Sequence, residues 1–406
     1  MRPRLPTAFT ALSALLPLAP SPASARVGVV PSVELSQSYT DRSLYLDTRA
    51  PPQPEAATSV SPALRIRYER PRLELHGGAS VGFSFRSRAG DRRDMGASAG
   101  FGYELAPSWR MSAGFGASLA TERAPELGTT TQDAAVPDSV SQENVATGVT
   151  YSQVAAGVGV AHDWDERTIA RASLTTTRLQ DYKSDELPLE TGGEPYVLSI
   201  LGLSARRSVT AATALSGAWE LQLHQFDVEG QTIAQKLTAG WERRVSQQLS
   251  VFAEAGVAFG FRTDISTDPT VTFVPAARAG LSVNRARLGL YLEGKREVIL
   301  SPAVQGTAVA DSVELRPTYR LLPDLEVLGL LRGARIEAVL RAEDDEDLTS
   351  LSYTAGLELR YSLASAVQLA VAARRYVVVP TVGGIVADGL DYEANSASAV
   401  LTAAWE

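Results

Sequence analysis

Leu249-Ser250-Val251-Phe252-Ala253-Glu254-Ala255-Gly256-Val257-Ala258-Phe259 alternates large apolar residues with small or polar ones. Leu351-Ser352-Tyr353-Thr354-Ala355-Gly356-Leu357-Glu358-Leu359-Arg360-Tyr361 does the same. A period of two sends alternate side chains to opposite faces of a strand. The pattern returns from Arg26 to the C-terminus, and the connections between the segments alternate in length. Short turns follow one strand and long polar loops the next. A soluble sandwich shares the alternation of residues. The alternation of connection lengths points to a transmembrane barrel, with short turns on one rim and long loops on the other.

The short turns are Tyr68 to Arg72, Leu105 to Trp109, His162 to Glu166, Arg206 to Val209, Arg243 to Gln248, Asn284 to Ala286, Leu321 to Asp324 and Ser362 to Ser365. Proline, Asn, Asp and Ser at such points are turn formers with a mechanism. Eight hairpins plus a first strand Val27–Tyr39 and a last strand Tyr392–Trp405 predict 18 strands, with 16 as the alternative count. The fold class is all-β: an antiparallel up-and-down β-barrel. The phase is ambiguous over Tyr196–Gly217, and the strand Leu325–Glu337 places Leu328 and Leu330 on the inner face.

The ends of the chain agree. Arg2 and Arg4, the apolar run Phe9 to Ala19 and the small residues Ala23-Ser24-Ala25 have the order of an export signal, cleaved after Ala25. Residues 1–25 are therefore expected to be a leader and residues 26–406 the barrel. No cysteine is present, which excludes disulfides, thiol catalysis and a lipoprotein anchor. The 46 acidic residues outnumber the 38 basic ones, two of which lie in the leader. That balance argues against a nucleic-acid partner.

Aromatic residues collect near strand ends. Tyr68, Tyr103, Trp109, Trp164, Trp241, Tyr319 and Tyr361 lie beside short turns. Tyr39, Phe83, Phe85, Tyr151, Tyr196, Phe226, Phe261, Phe273, Tyr353 and Tyr376 lie toward long loops. Two such groups are expected to form girdles at the two membrane interfaces.

Placing the apolar phase outward gives an inner face of both charges. It carries Arg65, Arg67, Glu74, His76, Glu220, His224, Lys236 and Glu254, then Arg278, Arg287, Glu293, Lys295, Glu314, Arg316, Glu358, Arg360 and Arg374. Charges on the lipid side are costly, so their phase predicts a wet lumen. Barrels of this size enclose an aqueous channel. Arg65, Arg67, Arg316 and Arg360 are expected to face acids elsewhere on the wall and to narrow the lumen through cross-lumen contacts.

Catalytic and cofactor motifs are absent from the reading. Gly100-Phe101-Gly102 and Gly157-Val158-Gly159 sit inside strands, where small residues suit a crowded wall. His76, His162 and His224 lack metal-ligand spacing, with His162 at a turn. The acidic run Glu343 to Asp347 reads as a solvated loop tip rather than a calcium or lipopolysaccharide-bridging site. No enzyme activity, cofactor or metal is expected.

The last strand resembles the assembly signal of bacterial outer-membrane barrels. Leu401, Ala403 and Trp405 share one face and finish on an aromatic, with Glu406 after it. The whole architecture resembles two groups of 18-strand barrels, the porins and the barrels that export surface polysaccharide. That resemblance implies an integral outer-membrane location, contact with outer-membrane lipids and lipopolysaccharide, and insertion by the barrel assembly machinery. Arg123–Val145, the best candidate for an inward constriction loop, is acidic and lacks the facing clusters of a porin eyelet. The expectation therefore falls on polysaccharide export with a periplasmic export partner. A diffusion porin for small polar solutes is the alternative, and a structural barrel the second alternative.

Overall fold

The computed structural model describes residues 26–43, 53–87, 92–121, 150–182, 196–226, 231–263, 270–301, 306–338, 348–382, 385–386 and 392–405. The leader, the 123–145 segment and the acidic run at 343–347 lie outside the described residues. Nineteen strand elements are present among those described. Eighteen are long and build the wall. They are β1 (Arg26–Ser43), β2 (Gln53–Arg70), β3 (Leu73–Arg86), β4 (Arg92–Ala106), β5 (Trp109–Thr121) and β6 (Thr150–Asp165). Next come β7 (Thr168–Tyr182), β8 (Tyr196–Ser208), β9 (Thr213–Phe226), β10 (Gln231–Arg244), β11 (Leu249–Thr263) and β12 (Thr270–Asn284). The wall continues with β13 (Leu288–Ser301), β14 (Gly306–Leu322), β15 (Leu325–Ala338), β16 (Leu348–Ala364), β17 (Val367–Val382) and β19 (Tyr392–Ala404). β18 (Ile385–Val386) is a two-residue strand folded back on β17.

Each long strand pairs antiparallel with the next in sequence, and β19 closes the sheet on β1. Closure leaves no exposed sheet edge. Leu35 faces Leu401, Val33 faces Ala403, and the Trp405 N–H donates to the Pro31 carbonyl at 3.0 Å. The wall is thus an 18-strand closed barrel, and 16 strands is excluded.

The short connections are tighter than the sequence suggests. They occupy only residues 71–72, 107–108, 166–167, 323–324 and 365–366 in five of the hairpins. Two turns are displaced. β8 runs on through Arg206, Arg207 and Ser208, and the turn falls at 209–212. There the Val209 N–H donates to the Thr213 carbonyl at 2.9 Å. Arg287, expected to line the lumen, lies in the turn before β13 and not in a strand.

Directly paired residues on neighbouring strands share a face, so register carries the inside–outside phase around the wall. Leu357, opposite Gly329 and Ala373, defines one face, which carries Leu64, Ile66, Phe101, Phe115, Leu237, Val313 and Leu331 as exposed large apolar residues. The other face holds the buried small and polar positions Thr177, Thr232, Thr238, Ala258 and Ala276. It is the concave one. The ambiguous β8 resolves with Leu201 opposite Leu174 and Leu221, on the apolar face. Leu328 and Leu330 do fall on the inner face of β15, where Leu330 is buried. Tyr376 departs from the expected girdle. It pairs with Thr354 and Ala394 and belongs to the inner face.

His162 lies within β6, not in the turn, and on the outer face. Its ring stacks on Trp109 at 4.1 Å and meets Trp164 at 5.6 Å, so it is part of the aromatic group at the short-turn rim.

One close approach explains a glycine. Pro317 interrupts the β14–β15 ladder because it has no N–H to give. Gly329 lies beside it on β15. A Cβ on Gly329 would stand 2.7 Å from Pro317 Cγ. We expect Gly329→Ala to destabilise the barrel by about 1–3 kcal/mol, the usual cost of overpacking. Thermal unfolding in detergent micelles measures it, and an unchanged midpoint would contradict the reading.

The wall is not a simple cylinder. The β12–β13 ladder runs from Asn284↔Gly289 to Ala277↔Arg296 and stops there. β13 continues to Ser301 paired only with β14, while β12 continues toward Thr270 paired only with β11. Beyond the parting, β13 and β14 come against β10 and β11, which are not their hydrogen-bonded neighbours. Val298 and Val309 of the hairpin bury themselves against Ala258 and Val274 of the inner wall. The upper part of β13–β14 therefore laps inside the barrel, its outer face on the inner face of β10–β12. This overlap covers the β12 edge that the parting leaves.

Candidate functional site

The candidate site is the inner wall. Register places Arg65, Arg67, Glu74 and His76 on one face of β2 and β3, together with Glu69. Glu220 and His224 of β9 share that face with Lys236 of β10 and Glu254 of β11. Arg278, Glu293, Lys295, Glu314 and Arg316 continue it across β12 to β14. Glu358, Arg360 and Arg374 complete it on β16 and β17.

Among the described residues, the ion pairs of Arg67, Arg316 and Arg360 lie within the wall. Arg67 contacts Glu69 at 2.5 Å on its own strand and Glu74 at 3.0 Å on the next. Arg316 pairs with Glu314, and Arg360 with Glu358 at 2.8 Å, both two residues away on one strand. For Arg67, Arg316 and Arg360 the expected cross-lumen bridges give way to contacts within the wall. The reason is geometric: residues i and i+2 on one face are close neighbours, while opposite walls of an 18-strand barrel are far apart. Exposed pairs of this kind contribute about 0–1 kcal/mol each. They orient the side chains more than they hold the fold.

The densest group joins β11 to β14. An Arg278 Nη2–H donates to Glu293 at 2.7 Å, and Glu293 also accepts from the Tyr291 hydroxyl. The Arg278 guanidinium lies 5.1 Å from the Phe252 ring centroid, and Arg316 lies 5.9 Å from that of Tyr291. Phe252 and Tyr291 stack at 6.3 Å. Two rings and two guanidiniums thus form a continuous strip on the inner wall. Lys295 pairs with Glu297 at 2.5 Å just above it.

Sequence reasoning missed several inner charges. Arg110 holds Asp163 at 2.8 Å. Arg206 reaches Glu242 at 2.9 Å across the intervening β9. Assigning Arg206 to a turn hid its phase.

The opposite side is different. The inner face of β3 to β7 carries Gly78, Ser80, Ser98, Gly100, Ser112, Gly114, Gly157, Gly159, Ser173 and Thr175. The His76 imidazole lies over Gly100, where a Cβ would collide with it. The middle of that side is therefore smooth, with its charges Glu74, Asp94, Glu104, Arg110, Asp163 and Arg171 set toward the strand ends, and the other side is bulky, charged along its length and thickened by the lapped hairpin. Such a lumen offers guanidinium and ammonium groups along one side and a small-residue surface along the other. The three histidines stay apart. Among the described residues no group of three His, Cys, Asp or Glu side chains could hold a metal ion.

The class defined by this geometry is the 18-strand closed barrel with a polar inner wall. No family model matches the chain, and no curated protein matches it in sequence. Solved structures match over nearly its whole length. OccAB2 of Acinetobacter baumannii superposes with a TM-score of 0.54 at 10% identity, covering 93% of this chain and 98% of that one. OccK2 (OpdF) of Pseudomonas aeruginosa, in complex with glucuronate, has a TM-score of 0.52 at 11% identity, covering 94% and 98%. OpdK of the same organism, with vanillate, has a TM-score of 0.50 at 12% identity, covering 93% and 99%. At such identities the likeness is one of fold.

Proposed function

We propose that the chain is an outer-membrane channel through which small polar solutes diffuse. The observation that carries the reading is the sorting of side chains by a closed wall. Large apolar residues dominate the convex face, with charges such as Arg335 and Arg375 toward the long-loop end, and charged or small polar residues dominate the concave one. A convex apolar band flanked by Trp109, Trp164 and Trp241 near one rim and Phe83, Phe85 and Tyr353 toward the other suits a bilayer. The seventeen inner-face residues named from the sequence are proposed to line the pore, apart from Arg287, which lies in a turn, and His224, which is on the inner face but 2% exposed.

Passage is passive. Water fills the lumen, and a solute exchanges bulk hydration for lumen water and wall donors. Arg278, Lys295, Arg316 and Arg360 offer N–H groups to carboxylates, and the small residues at the middle of β3 to β7 leave room beside them. Similar barrels solved with glucuronate and with vanillate support small carboxylates as one solute class. This reading replaces polysaccharide export as the preferred one, because the lapped hairpin takes up space a polymer would need. Leu401, Ala403 and Trp405 are proposed as the signal read by the barrel assembly machinery. The location implies contact with lipopolysaccharide and other outer-membrane lipids.

Liposome swelling tests the proposal. Proteoliposomes are expected to swell in monosaccharides and small carboxylates and to exclude oligosaccharides of polymer length. A strain lacking the protein is expected to keep its surface polysaccharide. Impermeable proteoliposomes together with loss of surface polymer would restore the exporter.

A further inference from the structure

We infer that the outer face carries a docking groove for one lipopolysaccharide molecule, at the point where β12 and β13 part. The inference rests on the outer-membrane reading. Where β13 and β14 turn inward, the convex surface is left with a cleft of about 600 Å³. Most of its lining is on the outward phase, including Ala277, Ala279, Gly294, Val313, Gly333 and Tyr353, and its floor is the strand backbone of Glu254, Arg278, Lys295, Ser312 and Ala334, whose side chains belong to the inward phase. The stretch of the recess formed by Ala279, Val313, Gly333 and Tyr353 is apolar and gives water few partners, and acyl chain is the filling at hand there.

Polar side chains stand on the same cleft. Arg296, Asp311 and Arg335 line it, and the register makes them direct neighbours on β13, β14 and β15. Arg296 touches Asp311 at 3.5 Å through one nitrogen, and Arg335 touches Glu337 at 3.0 Å through one nitrogen. A guanidinium has five N–H donors, so each arginine keeps donors for a phosphate after meeting its acid. The acids fix where the arginines sit.

Height selects the leaflet. At a tilt of 35–45° a strand climbs roughly 2.5 Å per residue. Arg335 is the tenth residue beyond Leu325 on β15. It therefore stands about 25 Å above the short-turn rim, the full height of the apolar band. The guanidiniums thus meet the headgroup level on the long-loop side. In an outer membrane that side is the lipopolysaccharide leaflet, where phosphate lies directly above acyl chain.

The test compares wild type, Gly333→Leu and Arg296→Gln/Arg335→Gln, each purified in detergent and first checked for heat-modifiable migration. A Cβ at Gly333 meets the Tyr353 ring at 3.7 Å, an ordinary contact, so leucine fills the cleft without displacing backbone. Native mass spectrometry and titration with purified lipopolysaccharide read the binding. Wild type is expected to carry one lipopolysaccharide, and both variants are expected to bind it about tenfold more weakly, a difference of about 1.4 kcal/mol. Phosphatidylglycerol is expected to bind all three equally and weakly. Equal lipopolysaccharide affinity in the three proteins overturns the groove. Phosphatidylglycerol binding that matches lipopolysaccharide in wild type and falls in the variants assigns the groove to phospholipid and overturns the commitment. A wild-type dimer lost in Gly333→Leu assigns it to a second copy, with the same effect. A wild-type chain that never shows heat-modifiable migration overturns the outer-membrane reading itself.

Discussion

Arginine in place of Leu357 is expected to lower the unfolding free energy of the barrel by about 2–4 kcal/mol, the cost of a cation near the bilayer midplane. Leu357 points outward from β16 with Gly329 and Ala373 directly opposite it. The residue is 54% exposed in the protein alone, and under the outer-membrane reading lipid is its solvent. The flanking Gly and Ala offer nothing to pair with a guanidinium. Glu254→Gln, on the inner face opposite Gly240 and Arg278, is expected to change stability by no more than about 0.5 kcal/mol. Reversible urea unfolding from liposomes compares the two. Equal costs would mean that the faces have been assigned the wrong way round.

The second large effect concerns the lapped hairpin. Val309 is 5% exposed and packs with Val298 against Ala258 and Val274. Val309→Asp puts a carboxylate into that contact. An unsatisfied buried polar group costs about 1–3 kcal/mol, more for a charge. The ladders from β13 to β14 and from β14 to β15 are untouched, so the barrel stays closed. The hairpin leaves the inner wall instead, and the upper edge of β12, now uncovered, can take up β13. Single-channel conductance is expected to rise severalfold in Val309→Asp and to stay unchanged in Val309→Ile. Unchanged conductance in the aspartate variant would show that the lap does not narrow the pore.

The wall was legible in the sequence because it depends on period and punctuation. Leu249 to Phe259 and Leu351 to Tyr361 show their outward residues at every second position, and Pro71, Pro107 and Pro323 mark the turns. The phase failed where both alternating sets are apolar or both polar. Leu201 and Leu203 with an Ala-rich neighbour left β8 undecided, and the run Arg206-Arg207 imitated a turn. Register settled both, through partners on β7 and β9 that no local pattern names.

The ion pairs and the lap were hidden for a different reason. Arg67, Arg316 and Arg360 were assigned a face from the alternation, but phase says which face a charge occupies and not which acid it meets. Their partners are the nearest ones, Glu69 and Glu74, Glu314, and Glu358. The parting of β12 from β13 leaves no mark in composition, because Val298 and Val309 look alike whether they meet lipid or an inner wall. The only trace is on the outward phase nearby, where Arg296, Asp311 and Arg335 stand out among apolar residues.

Ion current through the purified protein in a planar bilayer tests the central claim most directly. A water-filled lumen predicts steady, discrete conductance steps from the unmodified protein, and a reversal potential that shifts when a small carboxylate replaces chloride on one side. A membrane that stays insulating after verified insertion, or one that conducts without admitting the carboxylate or any small sugar, would contradict the channel.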